Sequence, residues 1–184
     1  MKELLKEKKI FTLNGKLLSL KTFTHNNITD EYIEWLNDPD VVKYSNQRFL
    51  KHTRESCTKY LESFEGSSNL FLSINLNENN CYVGTMTIYI SIEHQVADIG
   101  ILIGDKKTWG LGIASEAYQL VFNFLFKNYT IRKVTSGTLS SNKAMLRVFE
   151  KLDMQPDGIR FKHEIVDHVA TDILFFQYTN KYKT

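Results

Sequence analysis

The chain has 184 residues, with 23 Lys and Arg against 21 Asp and Glu, a formal net charge of +2 and 42% apolar residues. That balance argues against a polybasic nucleic-acid binder. No apolar run approaches the roughly 18 residues of a membrane helix. The N-terminal MKELLKEKKI lacks the apolar core of a secretory signal. Cys57 and Cys81 show no CxxC spacing, so a cytoplasmic protein with free thiols and no metal site is expected. The length favours one domain over residues 1–184, with residues 1–15 as a flexible N-terminal extension.

Residues 16–24 (KLLSLKTFT) read as a strand. Thr29 then caps a short helix in TDEYIEWLND, with Asp30 and Glu31 in its first turn. Thr53 opens a second helix, in which Cys57, Tyr60, Leu61 and Phe64 repeat at i, i+3, i+4, i+7 up to Gly66. Residues 69–76 and 81–91 read as a hairpin around NENN. In the strand 95–103, Ala97, Ile99, Ile101 and Ile103 share one face and Val96, Asp98, Gly100 and Leu102 the other. After KKTWGLGIASEA (residues 106–117), Ala114, Ala117, Tyr118, Val121, Phe122 and Leu125 mark a helix with one buried face. A strand follows at 131–138, then a helix at 141–152 with Ser141 as its cap. Strands at 158–166 and 170–178 close the chain. The order predicts an α+β fold with a mostly antiparallel sheet and one β-α-β crossover.

Gly110 and Gly112 stand between a strand and a helix. The first turn of a helix carries unpaired N–H groups and positive partial charge, which suit a phosphate or pyrophosphate. Glycines let a bulky anion reach the backbone, and Lys106 and Lys107 add charge. The spacing is neither a Walker loop nor GxGxxG, since Ser115 stands where the third glycine would fall. On the glycines alone, a tight turn with a close helix–strand contact is the competing reading.

Three blocks together carry more. Residues 107–112 (KTWGLG), with the helix start IASEA, resemble motif A of the GNAT acyltransferases. SNKAMLRVFEKLDM (141–154) and YIEWLNDPDVVKY (32–44) are similar to segments of that family's RimJ/RimL-like branch. The resemblance spans about residues 17–178. It implies the GNAT fold, a six- to seven-stranded mixed sheet with about four helices. It also implies an acetyl-CoA-dependent N-acetyltransferase acting by direct attack of a primary amine on the thioester. The amine would belong to an amino sugar or sugar nucleotide, another small amine or a protein N-terminus, and a homodimer is left open. Ile101, Leu102, Ile103, Lys107, Trp109, Gly110, Leu111, Gly112, Ile113, Ala114 and Asn142 would then hold acetyl-CoA. Asp98 would be the general base, Asn142 and Ser141 further catalytic residues, with Asn142 bonding the pantetheine arm or an ordered water, and Trp35 and Tyr44 the acceptor contacts.

The chain departs from the pattern in three places. Lys107 replaces the family's Gln/Arg and lacks a planar fork. Asp153-Met154 replaces Gly-Phe. Phe149 occupies the position of the Tyr that many members use as an acid toward the CoA thiolate. Lys107 and Phe149 motivate an alternative, an acyl-CoA-binding regulatory protein without catalysis. Several single residues stay ambiguous: Trp35 reads equally well as core, and Ser141 and Asn142 as helix caps. Asp30, Glu31, Glu34, Asp38 and Asp40 read either as a polyamine patch or as ordinary acidic helix starts. His163 and His168 read as surface residues.

Overall fold

The computed structural model describes residues 10–180. Among the described residues, eight strands form one sheet: β1 (Thr12–Asn14), β2 (Leu18–Thr22), β3 (Leu70–Leu76), β4 (Tyr82–Ser91), β5 (Val96–Ile103), β6 (Lys133–Leu139), β7 (Gln155–Val166) and β8 (Val169–Thr179). Their order is β1-β2-β3-β4-β5-β6-β8-β7. Every neighbouring pair is antiparallel except β5 with β6. The helices are α1 (Asp30–Asn37), α2 (Pro39–Val42), α3 (Arg54–Glu62), α4 (Ile113–Asn128) and α5 (Lys143–Lys151).

The expected α+β architecture is present, with one more strand and one more helix than expected. The added strand, β1, pairs with β2 inside the stretch read as a loose extension. Residues 1–9 of that extension lie outside the described residues. The added helix, α2, is a single turn that Pro39 starts. Neither is long enough to show a period of its own.

Alternation along the strands separates two cores. Leu72, Ile74, Met86, Ile88, Ala97 and Ile99 face α4 and α5 in the larger cluster, with Tyr118, Phe122 and Phe149. On the other face, Phe71 joins Phe23, Tyr32, Trp35, Cys57 and Leu61 under α1 and α3. The helix starts follow local rules. Thr29 Oγ1 caps α1 through the Tyr32 N–H at 3.1 Å, and Thr53 caps α3 in a reciprocal capping box with Ser56. At α5 the cap is Asn142 rather than Ser141: its Oδ1 accepts from the Met145 N–H at 3.2 Å, and the helix begins at Lys143.

The β5–β6 pair positions the site. It is hydrogen-bonded only over Val96–Asp98 and Lys133–Thr135. Beyond that point β5 stays with β4 and β6 with β8, so the sheet splits. Just past the last paired residue, the Ile99 carbonyl takes hydrogen bonds from Ser136 Oγ at 2.7 Å and Tyr118 Oη at 3.3 Å. These hydroxyls satisfy a buried acceptor that the ladder has left.

Candidate active site

β5 ends at Ile103 and leads through a 3-10 turn, Lys106–Thr108, into α4. Asp105 caps that turn, and the Trp109 indole N–H donates to the Ile103 carbonyl at 3.0 Å. Trp109 therefore pins the loop back on the strand end. Gly110 has φ +78° and Gly112, the N-cap of α4, has φ +84°. This is the left-handed region that glycine enters without penalty. Among the described residues, the N–H groups of Gly110, Gly112, Ile113, Ala114 and Ser115 meet no backbone acceptor, and the first helical bond runs from Glu116 N–H to the Gly112 carbonyl. The result is a concave row of free donors at the positive end of a 16-residue helix. A Cβ on Gly110 would meet nothing within 4 Å, so the space before the amides is open. Exposed Trp109 and Leu111 flank it with apolar surface.

The charge at this mouth differs from expectation. Lys106 is held by Asp38 at 2.7 Å and Asp40 at 3.1 Å, so it fastens the loop to the α1–α2 corner. The hydrogen bond from Lys106, aided by the Asp40 backbone N–H, keeps the Asp38 carboxyl below its ordinary pKa. Lys107 is exposed. A second cation comes from α5: Lys151 Nζ lies 3.9 Å from where a Cβ on Gly112 would stand. Lys151 escapes sequence reading, because a lysine in the last turn of a helix is ordinary dipole compensation.

The opposite face of the split carries an open cleft of about 490 Å³. Its floor is β4 and β5 at Thr85, Thr87 and the backbone around Gly100–Leu102. Its walls come from α1, α3 and the loop before α3, including Lys51, His52 and Tyr60. Ile101 and Ile103 turn their side chains to the larger core, whereas Leu102 packs with the second one.

Asp98 lies on the cleft face, opposite Tyr89 on β4 and beside Thr135 on β6. Thr135 Oγ1 donates to Asp98 Oδ2 at 2.6 Å. Gly100, one pleat further along the same face and about 7 Å away along the strand, lines the cleft. Crowding by protein raises the Asp98 pKa from its ordinary value, and the Thr135 hydrogen bond partly opposes that rise. Asp98 thus stands at the apex of the split, short of the cleft itself.

Other predicted residues lie elsewhere. Trp35 is 7% exposed and packs on Gly104, where a Cβ would overlap its indole. It belongs to the second core and does not line the cleft. Tyr44, 37% exposed, stacks near Lys43 outside the cleft lining. Ser141 is exposed in the turn before α5. Asn142 Nδ2 donates to Thr138 Oγ1 at 3.1 Å while its Oδ1 caps the helix. Phe149 is fully buried between Tyr118 and Phe176, as core. Lys51 and His52 lie in a loop without periodicity, so only the tertiary structure brings them to the cleft.

The sheet thus splits beside an amide-lined helix mouth and carries a cleft on its far face. The model of the acetyltransferase (GNAT) domain matches residues 18–155, and the chain belongs to the GNAT family of N-acetyltransferases. It is 28% identical over 134 residues to a protein of Bacillus subtilis (strain 168) named probable N-acetyltransferase YjcK, covering 72% of this chain and 74% of that one. The GNAT-family acetyltransferase of Bacillus anthracis superimposes with a TM-score of 0.77 at 22% identity, over 92% of this chain and 98% of that one. RimL, a ribosomal L7/L12 alpha-N-protein acetyltransferase solved with coenzyme A, gives 0.80 at 14% identity over 92% and 98%. At these identities the structural likeness speaks to the fold.

Proposed function

We propose that the protein transfers an acetyl group from acetyl-CoA to the primary amine of a small acceptor, by direct attack of the amine on the thioester. The observation that carries this reading is the set of unpaired amides at Gly110 and at Gly112, Ile113, Ala114 and Ser115, beside the split between β5 and β6. A pyrophosphate fits such a row, and Lys107 and Lys151 add cations. Coenzyme A solved with a structural neighbour accords with the same use.

The thioester supplies an already activated acyl group. What remains for the chain is to place the amine, accept its proton and stabilise oxyanion charge. Backbone amides of β5 between Gly100 and Ile103, at the open side of the split, are the oxyanion donors in this reading. Asp98 is the proton acceptor. Its offset from the cleft makes a water relay the route, since a carboxylate one pleat away cannot touch an amine above Gly100. Its raised pKa makes it a better base than an ordinary carboxylate. Phe149 has no proton to give, so the leaving thiolate is protonated by water or by the incoming ammonium.

The test is a pair of measurements on the full chain. Calorimetry should show acetyl-CoA binding that Gly112→Val abolishes, and CoA release should follow when an amine is added. Unaltered acetyl-CoA affinity in that variant would remove the cradle. Tight binding without turnover on any amine class would instead support the regulatory alternative.

A further inference from the structure

The cleft contains hydroxyls, rings and two basic side chains, but no carboxylate. Among the described residues that line it, none is Asp or Glu, whereas Lys51 and His52 stand side by side in its wall. Four acids of the flanking elements are engaged elsewhere. Asp30 pairs with Arg54, Asp38 and Asp40 hold Lys106, and Glu164 pairs with Arg48 at 3.1 Å. Lys51 has no ion-pair partner among the described residues.

The wall is held in place. Asn37 clamps the His52 backbone from both sides, its Oδ1 accepting the His52 N–H and its Nδ2 donating to the His52 carbonyl, each at 2.9 Å. His52 Nε2 donates to the Gln47 carbonyl at 3.3 Å, which fixes the ring and leaves Nδ1 as an acceptor in the neutral imidazole. Lys51, the residue before His52, therefore sits on an anchored segment.

Charge decides what such a cleft accepts. A polyamine brings several ammonium groups and would find no counter-charge along these walls, a mismatch that disfavours binding. An acceptor with an anionic group at one end and an amine at the other matches both ends: Lys51 for the anion, Asp98 beyond the floor for the ammonium. The volume suits a small molecule of that kind. We infer that the acceptor is a small amine that also carries a phosphate or carboxylate, bound with the anion at Lys51 and the amine toward Gly100. This rests on the N-acetyltransferase reading above and adds the acceptor class to it.

Matched acceptors test it. Glucosamine against glucosamine 6-phosphate isolates a phosphate. n-Propylamine against β-alanine isolates a carboxylate, and spermidine supplies a polycation. Each is titrated by calorimetry into the protein saturated with CoA, and each is assayed for CoA release with acetyl-CoA. The anionic member of at least one pair should bind about tenfold more tightly than its neutral partner, as expected for a charge-assisted contact. Lys51→Ala should erase that preference and Lys51→Arg keep it, with acetyl-CoA affinity reporting that the fold is retained. Equal or weaker binding of both anionic members, preference for spermidine, or a preference that survives Lys51→Ala would overturn the inference. The two readings fail separately. Anion-selective binding without turnover of any amine overturns the transferase reading alone, and efficient turnover of neutral amines without selectivity overturns the acceptor class alone.

Discussion

Asp98 concentrates the residue-scale consequences. Its folded pKa is raised above the roughly 3.9 of an unfolded aspartate. The folded state therefore binds this proton more tightly than the unfolded one. The associated stabilisation is complete below the unfolded value and is lost as pH rises through the folded one. Asp98→Asn should thus be no less stable than the parent at pH 7 by thermal unfolding. The same variant should lose roughly 10²–10⁴ in kcat, the usual worth of general-base catalysis, with acetyl-CoA affinity kept. The deficit should shrink at high pH, where free amine is abundant. Parent-like turnover at neutral pH would make the carboxylate structural. Gly112 is a second sharp point. A side chain at φ +84° costs about 1–2 kcal/mol by itself, so Gly112→Ala separates backbone strain, read by unfolding, from loss of acetyl-CoA affinity, read by calorimetry.

At the scale of the element, α5 does two jobs. Its start is fixed by Asn142, which also ties the helix to β6 through Thr138. Asn142→Ala should cost about 1 kcal/mol, as cap losses do, seen as a lower denaturation midpoint. Its buried face centres on Phe149. Phe149→Ala should cost about 3–5 kcal/mol. Restoring the family's hydroxyl by Phe149→Tyr should also destabilise, because the ring is fully buried among Tyr118 and Phe176 and the new O–H enters an apolar site. Greater or equal stability of Phe149→Tyr would mean that a partner for the hydroxyl is at hand. The end of α5 delivers Lys151 to the cradle, so one helix serves core and site together.

For the whole molecule, the loop after β5 links the two cores. Lys106 binds the α1–α2 corner, and Trp35 of α1 rests on Gly104. Gly104→Ala should therefore displace α1 and disturb cradle and cleft at once. Thermal unfolding and acetyl-CoA titration should both worsen, and an effect confined to either would show that the two faces are uncoupled. Saturating acetyl-CoA should raise the unfolding free energy of the parent protein by about 2.7 kcal/mol at a concentration 100-fold above Kd.

The sequence by itself determined the parts whose signals are local. Periodicity marked α3, α4 and α5, alternation marked β3 to β5 with Asp98 on the face away from Ile99, and the glycines marked the mouth of α4. These follow from one element's own pattern, since side-chain period and positive φ are properties of a few consecutive residues. The structure decided what depends on distance in space. It separated Trp35, a core residue on Gly104, from the cleft, and it spent Lys106 on Asp38 and Asp40 while bringing Lys151 to the amides. It also set Lys51 and His52 into a wall without acids. A lysine or tryptophan carries the same local pattern whether it faces a ligand, a carboxylate or a core, and only the packing of remote elements tells these apart.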